Sequence, residues 1–308
     1  MPNPSLFIKI IVCFSLVICC QLCKVYAYTT ATDSTPISTQ QEAIAFLNNQ
    51  ATLAQSSYWP KVQPLAFIQN LRKNIEQPLS LYEGRSTNFC AYAALSYLPL
   101  HDDPLGFVKF MVALYNDGKA DYGKAHFEPT NPVLQVAGSL RFKGALDVRP
   151  ADQIWFLALA DHFKGYLNLL DKHYDIGDEN KMWAAVNFAK FNRMVRQLFN
   201  YQVTAVGSDL IRPGIDDIYQ YLSELLKTGR VALFVNNLSL YKKNHTKLKY
   251  QVPTHFIILL SVQRAANNKI AFTYWDYGGR SLQELSPKFL RKIIFGIAHI
   301  NPKKANAN

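Results

Sequence analysis

What this chain lacks narrows its chemistry before any motif is read. It has no glycine-rich phosphate loop and no dinucleotide-binding fingerprint, so no motif points to nucleotide chemistry. It has no visible internal repeat, which argues against solenoids and propellers. Beyond residue 23 it has a single cysteine, Cys90, so residues 24–308 can form no internal disulfide. Acidic residues are the scarcer charge, and the net charge is +11. The basic excess is scattered, however. Its densest runs, Lys242-Lys243 to Lys249 and Lys303-Lys304, are not interleaved with aromatics. They read as solvated surface, and no nucleic-acid partner is expected.

Long apolar runs are also missing, with one exception at the N-terminus. Met1 to Lys9 is a short basic start, Ile10 to Cys20 is almost wholly apolar, and Val25-Tyr26-Ala27 is a small-residue box. That order is a secretory signal over residues 1–27, with cleavage expected after Ala27. The apolar run is short for a membrane anchor, so no stable insertion is expected after cleavage. Cys19, Cys20 and Cys23 lack the small preceding residue of a lipidation site. Cleavage would remove Cys13, Cys19, Cys20 and Cys23, and with Lys9 and Lys24 it would lower the net charge from +11 to +9. Cys90 would then be alone in a periplasmic or extracellular protein. A leftover thiol there is reactive, pairs between molecules, or is a small buried hydrophobe.

What remains is globular in composition, with 49% hydrophobic and 18% charged residues in 308. Residues 28–60 read as a loosely docked leader or linker, with a helix within Thr39 to Ser56. Residues 61–300 read as one domain and 301–308 as a basic tail. Within the domain, 104–228 is expected to be mostly helical. Leu105 to Tyr115, Ile154 to Leu170, Met182 to Phe199 and Ile215 to Leu226 repeat their apolar residues at helical spacing. After Gly229 the pattern changes to strands: Val231 to Val235, His255 to Val262 and Ile270 to Trp275, with Asn267-Asn268 suited to a hairpin. Pro287 to Ile297 reads as a short helix or strand. A helical half followed by antiparallel strands is an α+β plan.

Three positions could carry covalent chemistry. Ala91 to Leu98 is a good helix, expected to stop at Pro99 and to be capped by Ser86, Thr87 or Asn88. Cys90 then sits in its first turn, where unpaired N–H groups and the helix dipole favour a thiolate. A thiolate nucleophile needs a base, and the base needs an orienting group. His255 opens a strand just after Val252-Pro253-Thr254, and Asp276 ends the next strand, 21 residues on. A hairpin would return Asp276 to His255. The other candidates are bland. His101-Asp102-Asp103 reads as a solvated loop rather than a metal site. His126 lies in a loop, His162 and His173 on the helical half, and His299 near the tail. No metal or cofactor is expected.

The segments Asn88-Phe89-Cys90-Ala91, Pro253-Thr254-His255-Phe256 and Tyr274-Trp275-Asp276-Tyr277-Gly278-Gly279 resemble those of the papain-like cysteine peptidase superfamily. The nearest likeness is to bacterial members, the bacteriocin-processing peptidases and secreted effector proteases. The resemblance covers about residues 80–100 and 229–298. It implies a papain-like fold, a Cys90–His255–Asp276 triad and a peptide or protein substrate. Two features depart from the pattern. The Cys-to-His gap is 165 residues, longer than the roughly 130–150 of the papain type. The family also has a glutamine several residues before the cysteine to complete the oxyanion hole, whereas the sixth residue before Cys90 is Gly84. Asn88 is either a substitute donor or only the helix cap. The alternatives left open are an amidase, deamidase or acyl transferase with the same triad, a non-catalytic binding protein that keeps the fold, and a secreted toxin or effector, including a peptidoglycan amidase.

Overall fold

The computed structural model describes residues 29–30, 36–50, 52–84, 87–141, 148–164, 173–199, 201–241 and 252–302. The expected signal segment, most of the basic tail and Ser86 lie outside them. Among the described residues there are ten α-helices and two antiparallel sheets, the α+β plan that the periodicity implied. No helix among them is long and apolar enough to cross a membrane.

The larger sheet contains β4 (Tyr201–Gly207), β5 (Arg230–Val235), β6 (His255–Arg264), β7 (Ile270–Asp276), β8 (Gly279–Leu285) and β9 (Ile294–Pro302), in the order β4-β9-β5-β6-β7-β8. The two-residue β1 (Thr29–Thr30) adds to β6 opposite Val262 and Ser261. Strands β5, β6 and β9 lie inside the sheet and are buried on both faces. On one face Ala232, Phe234, Phe256, Ile258 and Trp275 join the helical body. On the other, Val231, Leu233, Val235, Ile257 and Leu259 pack against α8 (Ile218–Leu226) and α10 (Pro287–Ile293). This two-sided burial explains why these strands read as unbroken apolar runs. The edge strand β8 alternates exposed and half-buried residues. The β6–β7 pairing shifts at Leu260, which is left opposite no residue between the Leu259↔Tyr274 and Ser261↔Thr273 pairs.

The helical body is built from α1 (Gln40–Asn48), α2 (Pro64–Glu76), α3 (Cys90–Asp102), α4 (Pro104–Asp117), α5 (Asn131–Val136), α6 (Pro150–Phe163) and α7 (Phe188–Leu198). Its core is aromatic. Trp155 donates to Ser96 Oγ at 2.7 Å and meets Phe107 and Phe110 edge-on. Phe191 stacks on Phe256 and Phe256 on Phe234, with ring centroids 4.6 and 4.3 Å apart, which fastens α7 to the sheet. A second tie is polar. Arg230 on β5 donates to Asp102 Oδ1 at 2.8 Å, and the Tyr201 hydroxyl donates to Asp102 Oδ2 at 2.7 Å, all three being buried.

Several local expectations need correction. The described part of the segment expected to dock loosely joins the core, since Ala43, Leu47 and Trp59 are fully buried and Trp59 donates to Leu114 O at 2.8 Å. Its helix α1 starts on a capping box in which Thr39 and Glu42 bond each other's backbone N–H. Pro99 does not stop α3, which runs on to Asp102. Proline forfeits one intrahelical bond there, and dense burial of residues 91–100 outweighs that loss. His101-Asp102-Asp103 is therefore no loop: it is the last turn of α3 and the cap of α4, with Asp103 Oδ1 accepting from Gly106 N–H at 3.0 Å. Strands also interrupt the stretch expected to be helical. A small hairpin, β2 (Ala120–Tyr122) and β3 (Ala125–Phe127), follows α4, and β4 joins the sheet edge. The first two are three residues long, too short for any period to register. Residues 287–297 divide between α10 and the start of β9.

Candidate active site

Helix α3 lies against β6 and presents its first residue, Cys90, at the end of the sheet where β6 begins and β7 ends. Ala91, Ala93 and Ala94 give it the small profile that this approach needs. Neither Thr87 nor Asn88 caps the helix. Its cap position falls on Phe89, which has no side-chain oxygen to offer the first-turn N–H groups. Thr87 bonds one step too early, accepting from Phe89 N–H at 3.2 Å while its hydroxyl donates to Glu83 O at 2.5 Å. Asn88 acts as a brace: its backbone N–H donates to Glu179 O and its side-chain amide to Lys181 O, each at 2.8 Å. One amide hydrogen of Asn88 is thus spent on that turn.

The register of β6 and β7 brings the two remaining sequence candidates together. Pairing of Ile258 with Trp275 continues toward Asp276 on one strand and His255 on the other. His255 Nε2 lies 2.5 Å from Asp276 Oδ1, and both side chains are buried. Cys90 neighbours the imidazole and contributes to its charge balance. Cys90 is half-buried, and its sulfur also lies 4.0 Å from Thr254 O. Burial pulls the His255 pKa down, but hydrogen bonds to Asp276 and Cys90, with the charges on both, outweigh it and raise it well above that of an ordinary imidazole.

Three further residues complete the site and were not singled out by sequence reasoning. Tyr241, in α9 (Asn237–Tyr241), donates its hydroxyl to Asp276 Oδ2. Burial and the neighbouring Asp276 raise its phenol pKa far above the usual range, so it stays a donor. Tyr277 stacks on His255 with ring centroids 4.7 Å apart and planes 14° from parallel. With Gly278 it forms the two-residue turn between β7 and β8, both at positive φ (46° and 74°), which is the type I′ pattern. A tyrosine in that region is strained, and Asn237 holds it through a 2.8 Å bond to its hydroxyl.

Glu83 is the third. It is buried, its Oε1 has no hydrogen-bond partner among the described residues, and burial raises its carboxyl to about 7 against the pull of His255. Its segment is positioned by a 2.8 Å bond from Trp275 Nε1 to Leu79 O and by Gly278, whose missing side chain admits Leu81 and Tyr82. Donor atoms of Glu83, His255 and Asp276 lie within 4.8 Å of one another, a set of types that a divalent cation accepts. The 2.5 Å bond between His255 and Asp276 already uses two of them. Three other histidines serve elsewhere: His101 stacks on Tyr97, His126 pairs with Asp121 at 2.6 Å on the β2–β3 hairpin, and His299 meets Thr228 at 3.1 Å.

No protein-family model matches this chain, and no curated protein is significantly similar to it in sequence.

Proposed function

We propose that the protein is an exported thiol hydrolase of papain-like type that cleaves a peptide or amide bond. The observation that carries this reading is a buried imidazole bonded to a carboxylate, with the one thiol of the described residues as its neighbour at a helix start that has no side-chain cap. The raised His255 favours the imidazolium, and an imidazolium beside Cys90 favours the thiolate. The Cys90 sulfur attacks the carbonyl carbon and pushes its π electrons onto oxygen. Donors on offer for that oxyanion are the Cys90 N–H and the second amide hydrogen of Asn88. As the carbon–nitrogen bond breaks, His255 gives its proton to the leaving amine and a thioester remains. Water then attacks the thioester, His255 takes a proton from it, and the acid leaves as the carbon–sulfur bond breaks and the thiolate beside the imidazolium is regenerated. Asp276 keeps the ring oriented throughout, assisted by Tyr241 and Tyr277. Nucleophile helix laid on the strand that carries the base is the arrangement expected of the papain-like fold, and residues 1–27 supply the export signal.

Iodoacetamide alkylation tests this without a known substrate. Cys90 is expected to react at mildly acidic pH at least roughly tenfold faster than free glutathione, and His255→Ala is expected to abolish that advantage. A thiol that behaves like glutathione in both proteins would leave only a binding protein built on the same scaffold.

A further inference from the structure

Glu83 lies outside the proposed chemistry, yet it is buried with an oxygen that no described group bonds. Resting on the hydrolase reading, we infer that Glu83 is a positioning residue that carries a proton while Cys90 and His255 form their ion pair, and that loss of this proton retunes the thiolate. The geometry supplies the reason. Donor atoms of Glu83, His255 and Asp276 converge within 4.8 Å, all three residues are buried, and Cys90 neighbours the imidazole. A thiolate, an imidazolium and the Asp276 carboxylate already sum to one negative charge. An ionised Glu83 would make two, with one carboxylate oxygen unsolvated and unbonded, which is among the costlier arrangements a protein interior can hold. The neutral acid avoids that cost.

Among the described residues, the groups around Glu83 give no cation to offset it other than the imidazolium. His255 on β6, Asp276 on β7 and the Tyr277 phenol in the following turn face it, and Cys90 on α3 lies beyond. Arg149, which reaches Ser80 O at 3.3 Å, pairs with Asp152, and Lys181 pairs with Asp178. The elevation of the Glu83 carboxyl to about 7 agrees with this count. When the proton leaves for solvent, the added negative charge holds the imidazolium more tightly and makes the thiolate more basic, hence more nucleophilic toward an alkylating agent.

The alkylation rate of Cys90 in the full exported chain, measured with iodoacetamide in EDTA, is therefore expected to climb roughly threefold across an inflection near neutral pH. Glu83→Gln is expected to lack the inflection, and Glu83→Asp to keep one at a displaced pH. The carboxylic-acid infrared band of the wild type, absent from Glu83→Gln, should fade over the same interval. This band reads the proton directly, even where a variant folds poorly. A wild-type profile that is flat through neutrality, or an inflection that survives in Glu83→Gln, overturns the inference while an activated, His255-dependent thiol leaves the hydrolase reading intact. An unactivated thiol in the wild type overturns both. An inflection that appears only when zinc replaces EDTA assigns the three groups to a cation and overturns the inference.

Discussion

The sheet and the helical body contribute to the site in different ways. The sheet places His255 and Asp276 by strand register, which follows from pairing and alternation. The helical body places Cys90 and Glu83 by tertiary packing: α3 settles on β6, and the 79–84 segment is tied by Trp275 and by the space above Gly278. Register is encoded along the chain every second residue, whereas packing of a loop against a turn nearly 200 residues away is encoded nowhere locally. His255 and Asp276 are thus fixed by one half, while the distance of Cys90 from them depends on how the halves dock.

The strongest way to break that division is to cut the polar tie between halves. Asp102→Ala removes the carboxylate from buried Arg230 and Tyr201, and a cost of about 3–5 kcal/mol is expected in urea unfolding. If the halves are one cooperative unit, tryptophan fluorescence and far-ultraviolet circular dichroism will still coincide. Separate transitions would show that the sheet can hold His255 beside Asp276 without the helices.

A smaller effect sharpens the contrast at Glu83. Its carboxyl is raised from 4.5 to about 7 in the folded protein, so the folded state binds that proton more tightly than the unfolded chain. Its stabilising contribution is then present below about 4.5 and lost as pH rises to about 7, a fall of about 3 kcal/mol. Glu83→Gln should flatten that part of the stability curve. His255, raised above its ordinary 6.5, has the same sign at higher pH: its contribution is complete below that value and disappears as pH climbs through the folded one. The slope there should survive in the Glu83 variant.

The smallest expected change is on the sheet side. Tyr241→Phe removes one donor from Asp276 but leaves the His255–Asp276 bond. Iodoacetamide reactivity of Cys90 should fall by roughly threefold to tenfold, consistent with one hydrogen bond to a charged group. An unchanged rate would make α9 a mere neighbour of the site.

Much of this was legible in the sequence for identifiable reasons. Val231 to Val235, the His255 strand and the Ile270 strand stood out because burial on both faces makes continuous apolar runs. Cys90 stood out because no other cysteine follows residue 23. Strand β9, which lies beside β5 well inside the sheet, was only half seen, since a helix runs directly into it at Ile294. Glu83 carried no signal, because its importance comes from burial beside groups distant in sequence. Tyr277 was visible as part of a turn but not as the ring that stacks on His255.

The unpaired Leu260 has a consequence for how this strand can vary in length. Phe256 and Ile258 point to the helical body, yet Val262, which is also even-numbered, belongs to the opposite core. One surplus residue thus reverses the phase of β6 midway and lets each end of the strand satisfy a different layer. Lengthening or shortening by a single position on either side would set one end's oily face toward the wrong layer, so viable relatives of this protein should differ there by even steps or else shift the bulge.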